Sequence, residues 1–135
     1  MLTLLSRHQA LAVEFARFGI VGTIGYLVDT AVVYALKGVM GLGPAGLPSF
    51  IVAATVTWAL NRAWTWRGRG SASRLRQWAR FLAVSSPGLL VNRSVYEALV
   101  YLVPICMAYP FLATAAGTGA GLTLNFTLSR KLVFR

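Results

Sequence analysis

Apolar residues fall in four long blocks, at 18–36, 47–60, 81–103 and 109–128, with the polar residues gathered between them. A helix needs ~20 mostly apolar residues to cross a bilayer, and the blocks are of that order, the second being the shortest. The alternation and frequent turns of a membrane barrel are absent, so the pattern predicts helices. A shorter apolar stretch within 1–15 has no small-residue cleavage site after it, which predicts a cytoplasmic lead-in helix rather than a signal peptide. The segment 37–49 holds four Gly and two Pro and predicts an irregular outer loop. The segment 67–78 is rich in Arg, Gly and Ser and predicts a solvated turn. The short apolar link 104–110 has a proline at each end, which stops the helices on either side.

Composition strengthens this reading. The 135 residues are 57% hydrophobic and only 12% charged, with a mean hydropathy of +0.66. Ordinary soluble domains are roughly a quarter charged, so disorder, a coiled coil and a soluble enzyme are excluded. The net charge of +10 raises the question of nucleic acid. Binders of nucleic acid spread Lys and Arg over a solvated face, however, whereas here they cluster between apolar runs, so no nucleic-acid partner is expected. Of the 13 Lys and Arg, 11 lie before the first block, between the second and third, or after the fourth. Lys37 stands alone on the opposite side and Arg93 lies within a block. The positive-inside rule therefore predicts both termini in the cytoplasm, with Trp64, Trp66, Trp78 and Phe134 at that interface. The expectation is an all-α polytopic protein of the cell membrane, one domain over 1–135, with four transmembrane helices at about 16–37, 47–66, 79–103 and 109–130. Cys106 is the only cysteine and His8 the only histidine, so neither a disulfide nor a metal set is expected, and no cofactor motif is present.

The two halves repeat each other. Ala16-Arg17-Phe18 recurs 63 positions on as Ala79-Arg80-Phe81, and the same offset sets Gly25 against Gly88 and Asp29 against Asn92. Toward the end of each half the offset is 68, setting Leu60-Asn61-Arg62 against Leu128-Ser129-Arg130 and Trp66 against Phe134. Each half predicts a helical hairpin that starts inside. Two hairpins in the same sense make parallel repeats about an axis along the membrane normal, an arrangement that commonly places a substrate site at the repeat interface.

These residues carry a family resemblance. The Arg-Phe start followed by Val21-Gly22 belongs to it. So do Asn61-Arg62-x-Trp-Thr-Trp and the ending Asn125-Phe126-x-x-Ser129-Arg130-x-x-Val133-Phe134. Together they resemble the GtrA-like membrane proteins over nearly the whole chain. The resemblance implies four spanning helices and a part in moving polyprenyl-phosphate-linked sugars from the cytoplasmic to the outer leaflet, where glycosyltransferases use them. Leu132 departs from the pattern, where an aromatic is usual, and Arg93 and Glu97 fall outside the common motif.

Two groups of residues are candidates for chemistry. Asp29, Asn92, Arg93 and Glu97 lie inside predicted spans. A charge at mid-bilayer costs ~2.5–3.5 kcal/mol even on the mildest scale, so each should face the interior, a wet cavity or a partner. An Asp29–Arg93 ion pair, or a cluster of both with Asn92, is expected. Glu97, one turn on, shares the face of Arg93. This group would hold the head group at mid-membrane, with Arg93 on the phosphate; the bland alternative is a pair that fixes helix packing. Pro87-Gly88 should kink the third helix and open a cavity before Asn92 and Arg93. The second group is at the cytoplasmic interface, where Arg17, Arg62, Arg80 and Arg130 end or begin helices. Guanidinium groups bind phosphate bidentately, and Asn61, Asn125 and Ser129 lie within a turn to hold further oxygens. The alternative is that these arginines only set topology and touch anionic lipids.

The leading expectation is a flippase for a polyprenyl-phosphate monosaccharide used in cell-envelope polysaccharide synthesis, rather than an enzyme. Its partners would be that lipid, the membrane lipids, a polyprenyl-phosphate glycosyltransferase and a second copy in a homodimer. The alternatives are a membrane anchor that recruits a glycosyltransferase and a small proton-coupled exporter using Asp29. Gly117-x-x-x-Gly121 offers a close-packing face, within the chain or in the dimer.

Overall fold

The computed structural model describes residues 2–70 and 72–135. Every regular element among them is helical: α1 (Leu2–Met40), α2 (Leu42–Leu60), α3 (Arg74–Leu102), α4 (Pro104–Ala108) and α5 (Pro110–Leu128). Two π-helical turns, Asn61–Thr65 and Ser129–Val133, follow α2 and α5. One helix, over Leu4–Met40, is long and apolar enough by length and composition to cross a membrane.

The expected lead-in helix is continuous with the first apolar block, because no breaker separates them. The segment 37–49 is not the irregular loop its composition predicts. α1 runs to Met40 and α2 starts at Leu42, with Gly41 alone between them. Gly41 has φ 82°, a left-handed value that costs a glycine little, so one residue turns the corner. Pro44 falls in the first turn of α2, where the missing N–H has no intrahelical partner to lose. The prolines of the link 104–110 do stop their neighbours: each is the first residue of a new helix, α4 and α5.

α1 packs on α2, and α3 on α5, giving two hairpins. Both hairpins begin and finish at one end of the molecule. Phe18 from α1, Trp66 after α2, Phe81 from α3, and Phe126, Val133 and Phe134 from the close of the chain form a single buried cluster there. Trp66 and Phe134, equivalent in the two halves, stack on each other with ring centroids 4.8 Å apart. Each is placed by its π-helical turn. Trp66 N–H donates to the Asn61 carbonyl at 2.8 Å, and Phe134 N–H donates to the Ser129 carbonyl at 2.9 Å. Such i→i+5 turns are rare and insert one extra residue, which swings the next side chain inward.

Glycines set the approach within each hairpin. A methyl group at Gly25 would overlap the Thr57 side chain, and one at Gly88 would overlap the Asn125 amide. These are the same contact in the two halves, since Gly25 and Gly88 are 63 positions apart and Thr57 and Asn125 are 68 apart. Gly117 and Gly121 lie against Asn92 and the Gly88 carbonyl, so this pair packs α5 on α3 within the chain.

Candidate anion site at the basic end

The buried end of the bundle carries most of the arginines and one acidic residue. Glu14, on α1 ahead of the apolar run 18–36, is only 8% exposed. Its carboxylate accepts from Trp66 Nε1 at 3.1 Å, from Arg69 at 2.8 Å and from Arg130 Nε at 2.7 Å. Burial pushes this carboxyl up, but the bonds from Arg130 and Trp66 and the nearby charges of Arg69 and Arg130 outweigh it and hold the carboxyl below its ordinary value. Arg130 therefore reaches from the second hairpin to the first.

The reverse contact exists too. Arg62, at the end of the first hairpin, donates to Gln77 Oε1 on α3, and Trp58 Nε1 donates to the same oxygen at 3.2 Å. Gln77 is fully buried. Glu14 and Gln77 are 63 positions apart, and Arg62 and Arg130 are 68 apart. The two halves thus exchange equivalent arginines onto equivalent acceptors, across the α1–α5 seam on one side and the α2–α3 seam on the other. Trp78 Nε1 donates to Thr55 Oγ1 at 2.9 Å and adds to the α2–α3 seam.

A groove opens on each seam. One, of about 390 Å³, is lined by Leu4, Arg7, His8, Ala10, Leu11 and Arg130. The other, of about 330 Å³, is lined by Trp58, Ala59, Arg62, Ala63 and Arg74. Each offers basic groups beside apolar walls, which suits an anion carried on a hydrocarbon chain.

The remaining interface residues divide. Arg17 is half-buried and lies over the Trp64 ring, 5.5 Å from its centroid. Arg80 is exposed. Asn61 and Ser129 are buried in the π-helical turns rather than open to the surface, and Asn61 Oδ1 accepts from Thr65 Oγ1 at 2.7 Å. The Ser129 hydroxyl has no partner among the described residues, because Val133 stands where the first half has Thr65. Asn125 packs against α3 beside Gly88.

The mid-helix group is not brought together as expected. α1 and α3 make no close approach among the described residues, so an Asp29–Arg93 pair does not form. Arg93 Nε instead donates to Glu97 at 2.8 Å along α3, and the two side chains are 72% and 51% exposed. Asp29 is half-buried and makes no polar contact among the described residues. Asn92 faces the α5 glycines. Nor does Pro87-Gly88 open a cavity, because α5 fills the space with Asn125. Sequence reasoning did not single out Glu14 or Gln77. The signal that finds them is the repeat offset itself, extended to the residue three before each Ala-Arg-Phe arginine.

The family model for the GtrA/DPMS transmembrane domain matches residues 17–134. No curated protein matches the chain.

Proposed function

The chain belongs to the GtrA/DPMS transmembrane-domain family, and from that membership we propose that it flips a polyprenyl-phosphate-linked monosaccharide across the cytoplasmic membrane. The observation that carries this reading is the paired grooves at the basic end, each with guanidinium groups beside apolar walls. A phosphate can seat on the arginines while the prenyl chain lies along the helices in lipid. A polar head cannot cross hydrocarbon alone, since its desolvation is too costly. The chain has no phosphate-binding loop of the nucleotide-hydrolysing kind, so movement would follow the gradient set by consumption on the far side.

In this reading α1, α2, α3 and α5 span the bilayer with the basic end in the cytoplasm, and both termini are there too. α2 and α5, at 19 residues each, rise about 28 Å, close to the hydrocarbon thickness of about 30 Å. α1 has 39 residues and rises about 58 Å, so its N-terminal part, with Glu14, stands outside the core. Arg17, Arg62, Arg80 and Arg130 form the basic cytoplasmic rim at which the phosphate arrives, with Asn61, Asn125 and Ser129 setting the helix ends that carry it. The exposed Arg93–Glu97 pair, with Asn92 and Asp29 at similar depth, gives the head group polar contacts on its way. The product would serve cell-envelope polysaccharide synthesis.

The test reconstitutes the protein in liposomes with a labelled short-chain polyprenyl-phosphate sugar and follows loss of label to a membrane-impermeant reagent. Faster exchange than in protein-free liposomes, slowed by Arg62→Ala and by Arg93→Ala, is expected. Exchange at the protein-free rate, with the protein shown to be folded, overturns transport and leaves the membrane-anchor reading.

A further inference from the structure

The two seams are built alike and differ in one atom of consequence. Across the α1–α5 seam the acceptor is a carboxylate, Glu14, with Arg130 and Arg69 as charged donors at 2.7 and 2.8 Å. Across the α2–α3 seam the equivalent acceptor is the amide of Gln77, which receives Arg62 and Trp58. The chain has only three Asp and Glu. Glu14 is committed to the first seam, Glu97 is bonded to Arg93, and Asp29 lies far along α1 beyond the contacts of either seam. The groove on the second seam is lined by Arg62 and Arg74 and, among the described residues, by no carboxylate.

We infer that the two halves have unequal roles in phosphate binding: the α2–α3 seam, with Trp58, Arg62 and Arg74, takes the phosphate, and the α1–α5 seam holds an internal anion, Glu14, in the equivalent place. This rests on the phosphate-lipid reading above and deepens it. An incoming phosphate at Arg130 must compete with a buried carboxylate and leave it with one charged donor, Arg69, in place of two, a costly way to weaken a buried ion pair. At Arg62 it trades against a neutral amide, and charge-assisted bonds to phosphate are stronger than bonds to an amide oxygen. The groove beside Arg130 is basic as well, with Arg7 and His8 on its wall, but its central guanidinium is committed to Glu14. Arg62 and Arg130 occupy matching positions in the repeat, so the difference lies in the acceptor they meet.

Gln77→Glu tests this directly, because it makes the second seam a copy of the first. Gln77 Nε2 has no hydrogen-bond partner among the described residues, so replacing it with oxygen forfeits none. The new carboxylate competes for Arg62 from within the chain, at high effective concentration. The probe is a radiolabelled short-chain prenyl monophosphate, bound at equilibrium to the full-length protein in nanodiscs of zwitterionic lipid, with inorganic phosphate as a separate arm. Gln77→Glu should weaken prenyl phosphate binding at least tenfold, and Glu14→Gln should leave it as tight as wild type or tighter. Arg74→Gln, at an exposed position on the first turn of α3, should weaken it several-fold and carries the test if Gln77→Glu does not fold. Wild-type affinity in Gln77→Glu and in Arg74→Gln overturns the inference. So does equal loss in Glu14→Gln, which would mean that both seams bind. Inorganic phosphate binding as tightly as prenyl phosphate overturns the lipid as the source of the phosphate. Binding that obeys these expectations in a protein that gives no exchange in liposomes overturns transport and leaves this inference standing.

Discussion

Asn125 on α5 lies directly against Gly88 on α3, one residue after Pro87. Proline removes a backbone donor and disturbs the carbonyls of the preceding turn. The amide orientation that satisfies its surroundings points Nδ2 at the Val84 and Ser85 carbonyls, at 3.2 and 3.3 Å, with O and N assigned from the hydrogen-bond network. The second hairpin thus closes over its own helix break, and only glycine at 88 leaves room for the amide. Gly88→Ala should therefore destabilise the fold by about 1–3 kcal/mol, the usual cost of overpacking. Gly38→Ala, where no atom lies within 4 Å of the added carbon, should be neutral. Thermal unfolding in detergent separates the two, and equal melting temperatures would count against this packing.

Glu14 gives the basic end a pH dependence of known sign. Its carboxyl titrates below the ordinary value in the folded chain, so its contribution is complete above the unfolded-state value of about 4.3. That contribution is lost as pH falls through the folded-state value. Arg69 and Arg130 are 45% and 40% exposed, so solvent screens the pairs and the loss should be modest, on the order of 1–2 kcal/mol. Stability measured from pH 7 down to 3 should fall in that acid window for wild type. Glu14→Gln should be less stable at pH 7 and flatter with pH. A Gln variant with an unchanged acid profile would show that the seam does not depend on this charge.

The Trp66–Phe134 stack separates packing from hydrogen bonding. Trp66 is 1% exposed, touches Phe18, Phe126 and Phe134, and donates to Glu14. Trp66→Ala should cost about 3–5 kcal/mol, as large-to-small changes in a core do. Trp66→Phe keeps an aromatic ring, as Phe134 does in the equivalent place, and forfeits mainly the Glu14 bond. About 1.5–3 kcal/mol is expected for a bond to a charged group. Denaturant unfolding of both variants checks the order of the two losses.

The repeat was the most legible feature of the chain, and it reached further than its matched residues show. Offsets of 63 and 68, read from Ala-Arg-Phe and from Asn/Ser-Arg, also set Gly25–Thr57 against Gly88–Asn125 and Glu14 against Gln77. Glu14 and Gln77 escaped notice because they differ in charge and lie outside the apolar blocks, where a polar residue carries no signal of burial. The segment 37–49 misled because Gly and Pro content speaks of loops, while the structure needs only Gly41 to leave helical angles. The Asp29–Arg93 expectation matched depth and ignored which helices touch. α1 pairs with α2 and α3 with α5, so equivalent helices of the two halves stand apart, and Arg93 finds its carboxylate one turn along its own helix.

The exposed Arg93–Glu97 pair should matter more for movement of the head group than for stability. Because α3 spans the bilayer in the proposed reading and a lone charge there is costly, the double variant Arg93→Gln/Glu97→Gln, which leaves no charge unpaired, should melt close to wild type. If the head group passes these side chains, the same variant should slow exchange in liposomes several-fold and leave prenyl phosphate binding at the basic end unchanged. Slowed exchange with weakened binding would instead place the effect at the cytoplasmic rim.

The orientation is open to a labelling test that uses the single cysteine. Cys106 is buried, so Cys106→Ala gives a quiet background, while Met107 beside it is 60% exposed in the short helix joining α3 to α5. Arg67 is exposed on the basic turn at the opposite end. With 11 of the 13 Lys and Arg at the basic end, the positive-inside rule puts Met107 outside and Arg67 inside. Met107→Cys in the Cys106→Ala chain should react with an impermeant maleimide on intact cells, and Arg67→Cys only after permeabilisation. The reverse pattern would place the basic grooves outside. A phosphate seated there could not then be the cytoplasmic entry of a lipid bound for the outer leaflet.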